Sequence, residues 1–171
     1  MLDGPLTLRA TPLEPGAFAA FGEVIEHRGS ERRHVLGAAF ASSEQPVRQT
    51  LWVSRLEQNA TMPLTIDMLE RHPHSDQAFV PLSGQPYLIV VCGSAADGSA
   101  DVAEARAFVA GPNQGVLYRR NVWHLGLTVL AAPAEFVVVI GKAGAPDDDV
   151  FQRLTRPIRV LPPVAPAGAA S

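Results

Sequence analysis

The clearest pattern in the sequence is an alternation of apolar and polar residues that begins at Met62. Every second residue from Met62 to Met68 is apolar, and the side chains of a strand point to opposite sides with a period of two. Glu70, His72 and His74 continue the same parity. This strand therefore predicts an apolar face that ends in a cluster of acid, base and metal-ligand groups, as at one mouth of a barrel.

Similar short apolar segments recur along most of the chain, separated by Gly, Pro and other turn residues. Such spacing predicts an antiparallel sandwich or barrel. The turn at residues 83–86 predicts a hairpin of Gln77–Leu82 with Tyr87–Cys92. The predicted strands are Gln49–Leu56, Thr61–Glu70, Gln77–Leu82, Tyr87–Cys92, Ala105–Ala110, Gly115–Tyr118, Leu125–Leu130 and Glu135–Gly141.

The two ends of the chain differ from this pattern. Residues 11–22 predict a short helix, because Pro15 lies near the first turn and Gly22 can end it. Beyond Arg156 the composition changes to Pro and Ala without periodicity, which predicts an extended or disordered tail. At 171 residues and 47% apolar composition, we expect a single barrel domain at residues 1–156 and a tail at residues 157–171.

Charge and composition narrow the class of protein. The net charge is −3 and no basic run is present, so nucleic acid and anionic membranes are not expected as partners. No apolar run reaches the ~18 residues that span a bilayer, and the chain does not open like a signal peptide. We expect a cytoplasmic protein whose single cysteine, Cys92, is a buried thiol.

Two histidines two residues apart carry the candidate chemistry. His72-x-His74, followed by Gln77 and Gly84, resembles the first motif of the cupin barrels, and His124 is placed like the third histidine of that family. Residues i and i+2 of a strand face the same way, and neutral imidazoles bind zinc, nickel, manganese or iron. Gln77 stands where those proteins have an acid, so the metal site is one hypothesis among several.

Each of these side chains also has a structural explanation. Glu70 and Arg71 can form a surface ion pair, which contributes little stability. His74 can be a solvated loop residue, His124 can be a core histidine bonded to a carbonyl, and Trp123 can serve packing. The clustering of so many polar types on two segments favours a functional site over these alternatives.

A closer resemblance covers the chain in order from about Phe18 to Gly141. Its most specific blocks are Glu-Arg-His-Pro at residues 70–73 and Asn-Val-Trp-His at residues 121–124. The segments that carry it are Phe18–Glu26, Leu64–Pro73 with Gln77–Pro81, Arg106–Phe108 and Gln114–His124. They resemble the ureidoglycolate lyase family, also called ureidoglycolate hydrolase.

The resemblance implies an all-β, cupin-like antiparallel β-barrel (jelly roll), here with a short N-terminal helix. It implies a homodimer that cleaves ureidoglycolate, a small carboxylate of allantoin and purine catabolism, to glyoxylate and urea. Nickel is the metal linked to some members. His72, His124 and His74 are the candidate metal ligands.

The chemistry of this substrate suggests roles for the catalytic candidates. Elimination needs a base on the hydroxyl group, and His124 is chosen because its unperturbed pKa is about 6.5. Tyr118, or a water linked to His72, would be the acid. Glu70 would orient His72 or act as the alternate base. We expect His72 and His124 within about 15 Å of each other, a span of roughly five extended residues.

Arginine and glutamine supply the predicted substrate contacts. Arg120 shares the parity of Tyr118, so we expect it to point inward and to bind a carboxylate with its planar fork, whereas Arg119 points to solvent. Gln77 would bond the urea carbonyl, and Arg71 is a further candidate for substrate binding.

Three departures from the family pattern leave other functions open. They lie at residues 34–37, 125–126 and 140–144, where polar groups of the family are missing. One alternative is a non-catalytic cupin-like module that binds a small molecule. Another is a metal-dependent cupin enzyme that acts on a different small carbonyl acid, such as an isomerase or dioxygenase.

Overall fold

The alternating segments form two β-sheets in the computed structural model, which describes residues 4–38, 40 and 45–165. One short helix, α1, spans Pro15–Phe18, and a single turn of 3-10 helix spans Val102–Glu104. The strands are β1 (Leu6–Arg9), β2 (Thr11–Pro12), β3 (Gly22–Ile25), β4 (Arg48–Leu56), β5 (Leu64–Arg71), β6 (Gln77–Pro81), β7 (Tyr87–Cys92), β8 (Arg106–Ala110), β9 (Gly115–Tyr118), β10 (Trp123–His124), β11 (Thr128–Val129), β12 (Ala134–Lys142) and β13 (Val150–Leu161).

The larger sheet curls back on itself. Its order is β1-β13-β5-β10-β7-β8-β2, with β11 on β7, and the smaller sheet has the order β3-β9-β6-β12-β4. β1 and β2 are separated only by Ala10, yet they pair in parallel with β13 and β8 at opposite sides of the larger sheet. The other described ladders are antiparallel. This architecture confirms the all-β, barrel-like prediction.

Two apolar cores lie on opposite faces of the larger sheet. β7 shows this best, because Ile89 and Val91 belong to the core between the sheets, whereas Leu88 and Val90 belong to the second core. The run of apolar residues on both parities of β7 therefore marks a strand covered on both sides. Cys92 is buried in the second core, and burial with the nearby Asp101 carboxylate raises the pKa of its thiol to about 12.

The predicted hairpin of β6 with β7 is wrong. β6 pairs with β9 and β12 in the smaller sheet, whereas β7 pairs with β8, β10 and β11 in the larger sheet. The turn at residues 83–86 carries the chain from one sheet to the other. Turn residues signal a reversal of the chain, but they do not specify which strands pair afterwards.

Near both ends of the chain, the observed elements have other bounds than predicted. α1 is one turn long, shorter than predicted, because β2 and β3 occupy both ends of the predicted helix. β13 runs to Leu161, so the predicted boundary after Arg156 falls inside a strand whose Ile158 and Val160 are buried. Residues 166–171 lie outside the described part of the chain, and the division into one domain and a tail stays a prediction.

Gly22 offers a test of the packing of the smaller sheet. A Cβ atom at Gly22 would lie 1.8 Å from the carbonyl oxygen of Leu117 on β9. Gly22→Ala is therefore expected to lower the free energy of unfolding by at least about 2 kcal/mol, because backbone must move. Gly16→Ala in α1 is the control, since nothing lies within 4 Å of its added Cβ. Urea unfolding followed by circular dichroism measures both, and similar midpoints for the two variants would contradict this packing.

No helix in the described part of the chain is long and apolar enough to cross a membrane.

Candidate active site

Two paired strands bring an acid and a base together between the sheets. Glu70 of β5 and His124 of β10 are partners in register. Their chain neighbours Leu69 and Trp123 pack in the second core, so Glu70 and His124 face the opposite side, toward the smaller sheet. The prediction that Glu70 continues the buried face of Ile66 is wrong, because Ile66 lies in the second core with Leu69.

The parity along β5 is broken by an irregularity in its partner strand. The register of β13 against β5 shifts between Arg153 and Ile158. On β5, Ile66 is buried, Met68 is 43% exposed and Leu69 is buried again, so the alternation changes phase before the strand ends. Because of this change of phase, Glu70 lies on the face of β5 that points to the site and not on the face that packs in the second core.

His72 follows β5 and is held from two sides. Its Nδ1 lies 3.1 Å from the carbonyl oxygen of Asp148 and 2.9 Å from Oδ1 of Asp149. Its own carbonyl oxygen accepts the backbone N–H of Asn121 at 3.1 Å. A carbonyl oxygen only accepts, so Nδ1 carries a hydrogen and Nε2 of the neutral ring carries the lone pair. Nε2 is buried and has no hydrogen-bond partner among the described residues.

The two histidines and the acid form one cluster. The ring centroids of His72 and His124 are 5.2 Å apart, well inside the expected 15 Å. The ligand atoms of Glu70, His72 and His124 all lie within 4.8 Å of one another. Burial, followed by the charge of His124, lowers the pKa of His72, which favours its neutral form. Burial acts to raise the pKa of Glu70, but its hydrogen bond with His124 and the charge of that ring outweigh burial and lower it.

His124 presents one nitrogen to the cluster. Its Nδ1 lies 2.9 Å from the carbonyl oxygen of Val122, which fixes a hydrogen on Nδ1. Its Nε2 lies 3.0 Å from Oε1 of Gln77 and 3.5 Å from Oε1 of Glu70. The amide of Gln77 can present either its oxygen or its NH2 group, so it can bond both the protonated and the neutral ring of His124.

The ring of Tyr118 stacks on the ring of His124. The two rings are stacked, with centroids 4.2 Å apart and planes 10° apart. Tyr118 is fully buried, which raises the pKa of its phenol well above the usual value, so the hydroxyl stays protonated. Its stacked ring holds the imidazole of His124 in place, and its role as an acid stays a prediction.

A cavity of about 350 Å3 opens in front of this cluster. It lies between the two sheets, and both charged and aromatic side chains line it. Its lining residues are Trp52, Ser54, Glu70, His72, Gln77, Phe79, Leu127, Val138, Lys142, Asp149 and Phe151. This set joins three of the predicted site residues to two charged residues, Lys142 and Asp149, that the sequence reasoning missed.

The signal for Lys142 was present in the last predicted strand. Phe136, Val138 and Ile140 form the buried parity of β12, and Lys142 is the next residue of that parity. Val137 and Val139 make the other parity apolar as well, so the alternation of the strand does not single out the cation that follows it. Asp149 had no comparable signal, since it lies in a loop whose place is fixed by contacts distant in sequence.

The carboxylate of Asp148 fixes the conformation of the loop that carries Asp149. The carboxylate oxygens of Asp148 accept the backbone N–H groups of Ala143, Gly144 and Ala145 at 2.8, 2.7 and 3.2 Å. These bonds bring residues 148–149 back against the end of β12. Asp149 is thereby held between His72 and Lys142, and it pairs with both.

Arg120 does not point into the cavity as predicted. β9 ends at Tyr118, and Arg120 lies exposed in the turn that follows, where its backbone N–H donates to Oδ1 of Asp76 at 2.9 Å. The strand parity used for the prediction does not extend into a turn. Asn121 in the same turn has a φ of 66°, and the chain crosses there to the larger sheet. Arg119 is exposed, as predicted.

Arg71 and His74 also lie away from the cluster. The Arg71 guanidinium lies over the ring of Trp123, 4.7 Å from its centroid, on the side of the second core. His74 Nε2 lies 3.0 Å from Oδ1 of Asp147 instead of joining the donor group of His72. Neither lines the cavity, so the structure does not bring Arg71 or His74 to the cluster of Glu70, His72 and His124.

The family model and the relatives found by sequence agree on one family. Residues 5–160 match the family described as ureidoglycolate lyase. Ureidoglycolate lyase of Brucella melitensis biotype 2 is 41% identical over 152 residues, which cover 83% of this chain and 86% of the relative. Ureidoglycolate lyase of Azotobacter vinelandii is 42% identical over 154 residues, covering 83% and 89%. Among solved structures, a dTDP sugar isomerase from Desulfovibrio desulfuricans G20 is similar with a TM-score of 0.45 and 14% identity, covering 79% of this chain and 84% of that chain.

Proposed function

This chain belongs to the ureidoglycolate lyase family, and we propose that it is a carbon–nitrogen lyase that cleaves ureidoglycolate to glyoxylate and urea. The observation that carries the proposal is the cluster of Glu70, His72 and His124 beside a cavity of about 350 Å3, which Glu70 and His72 line. A cavity of this size suits a small acid.

The reaction defines what the site must do. In ureidoglycolate one carbon carries a hydroxyl group, a carboxylate and the nitrogen of urea. When the hydroxyl loses its proton, the oxygen lone pair forms the carbonyl of glyoxylate and the carbon–nitrogen bond breaks. The nitrogen keeps the bonding electrons and takes up one proton, which gives urea. The site therefore needs a proton acceptor near the hydroxyl and a proton donor near the nitrogen.

In this proposal His124 acts first as the base and then as the acid, and Glu70 supports it. Nε2 of His124 faces the cluster and accepts the hydroxyl proton, because Nδ1 is occupied by the Val122 carbonyl. Glu70 lies 3.5 Å from Nε2 and stabilises the imidazolium that forms. His124 then returns the proton to the departing nitrogen, and Gln77 bonds the urea group beside it.

The same donors fit a divalent metal. Glu70, His72 and His124 would hold it. The observation that fits a ligand is the buried Nε2 of His72, which has no hydrogen-bond partner in the described part of the chain. The Asp149 carboxylate on Nδ1 of His72 orients that ring, as carboxylates do behind metal-bound histidines. A bound cation such as nickel would polarise the hydroxyl oxygen of the substrate, and in that arrangement Nε2 of His124 would be a ligand and not the proton acceptor.

A homodimer in the cytoplasm is part of the proposal. The edge strand β4 supports the dimer, because its Leu51 and Val53 are 66% and 56% exposed and an apolar edge strand needs cover. Light scattering at high micromolar concentration tests it, and the mass of a monomer would count against a dimer.

Substrate comparison tests the proposed reaction. Elimination needs the hydroxyl group, so the protein should release urea from ureidoglycolate and none from N-carbamoylglycine, which differs only in lacking that hydroxyl. Urea and ammonia are measured against blanks without protein. Release of ammonia without urea from both compounds would indicate hydrolysis of the carbamoyl group and would overturn the lyase proposal.

A further inference from the structure

Lys142 is the only lysine in the sequence. It stands at the end of the buried parity of β12 and lines the cavity beside the Glu70, His72 and His124 cluster. Its side chain is 27% exposed, so the ammonium group is partly shielded by the cavity wall. None of the arginines of the described chain lines this cavity.

The cavity lining is acidic, so an anionic ligand needs a cationic group there. Glu70 and Asp149 place two carboxylates in the lining. A substrate carboxylate entering this space needs a cation to offset its loss of water. Lys142 is the fixed cation that the lining offers.

The geometry around Lys142 leaves donors for a ligand. Its Nζ bonds Oδ1 of Asp149, and the same oxygen lies 2.9 Å from Nδ1 of His72. An ammonium group has three hydrogens, so the bond to Asp149 leaves two for another acceptor. Asp149 thereby holds Lys142 at a defined distance from the ring that faces the reacting centre.

We propose that Lys142 binds the carboxylate of the substrate, while Asp149 holds the ammonium group in place. This inference rests on the proposed function for the class of ligand, a small N-carbamoyl acid. It replaces the role that strand parity predicted for Arg120, whose side chain lies exposed in a turn. A charged donor to a carboxylate also fixes which end of the ligand faces His124.

Binding of two stable ligands tests the proposal without any turnover. N-carbamoylglycine carries the carboxylate, and its primary amide is neutral and otherwise the same. Isothermal titration calorimetry on the purified full chain should show at least about tenfold tighter binding of the acid than of the amide. Lys142→Met should remove this preference and leave binding of the amide within about twofold. Lys142→Arg should keep part of the preference because it keeps the charge.

Arg120→Met is the matched control and should keep the full preference for the acid. Circular dichroism checks that each variant is folded, and Lys142→Gln repeats the test if Lys142→Met is not. A wild-type protein that does not bind the acid more tightly than the amide overturns the proposal, and so does a preference that survives in Lys142→Met. Loss of the preference in Lys142→Met together with no cleavage of ureidoglycolate would support Lys142 and overturn only the proposed reaction.

Discussion

Replacing His124 with asparagine is expected to lower kcat for ureidoglycolate by about 100-fold to 10,000-fold, the usual contribution of a positioned acid or base. Nε2 of His124 is the nitrogen that faces Glu70 and Gln77, whereas Nδ1 is tied to the Val122 carbonyl. Asparagine keeps a polar side chain and removes the proton acceptor from the cluster.

Initial rates of urea release measure this effect, with His27→Ala as the control. His27 is exposed and lies on the segment after β3, away from the cavity lining. Its replacement should leave kcat within about twofold. A His124→Asn variant that keeps more than a third of the wild-type kcat would show that His124 is neither base nor ligand in the reaction.

The second large effect is expected in metal binding, where two neighbouring histidines should differ. His72→Ala should weaken binding of nickel by more than about 100-fold, because it removes the buried Nε2 from the donor cluster. His74→Ala should change the affinity by less than about threefold, since His74 pairs with Asp147 outside that cluster.

Isothermal titration calorimetry of the metal-free protein with nickel chloride measures the affinity of each variant. Each variant lacks one imidazole, and the two positions lie two residues apart. Any nonspecific loss of nickel affinity should therefore be the same in both. Equal affinities of the two variants would show that the cluster of Glu70, His72 and His124 does not hold the metal.

The local patterns in the sequence predicted most of the barrel. Tyr87–Cys92 and Gly115–Tyr118 have the predicted bounds, because each is bordered by turn residues and filled with apolar side chains. β13 was missed, since Arg and Pro residues interrupt its apolar positions and its partners β1 and β5 are distant in sequence. Pairing over such distances is decided by the register of the whole sheet, which no local pattern contains.

The candidate site shows where the rule of strand parity holds and where it fails. Glu70, His72 and His124 were predicted together and lie together, because short specific blocks carry them. Arg120 was misplaced because the ladder ends before it, at Tyr118. Lys142 was overlooked because the strand before it is rich in valine on both parities. Parity therefore places a side chain only while the strand and its partner remain in register.

The most direct test of the proposed reaction is the ratio of products from ureidoglycolate labelled with carbon-13 at every carbon, followed by NMR in the presence of the purified protein. Labelled urea and glyoxylate should appear in equal amounts, faster than in a blank without protein, and no bicarbonate should form. Release of bicarbonate and ammonia in place of urea would show hydrolysis of the carbamoyl group and would contradict a carbon–nitrogen lyase centred on Glu70, His72 and His124.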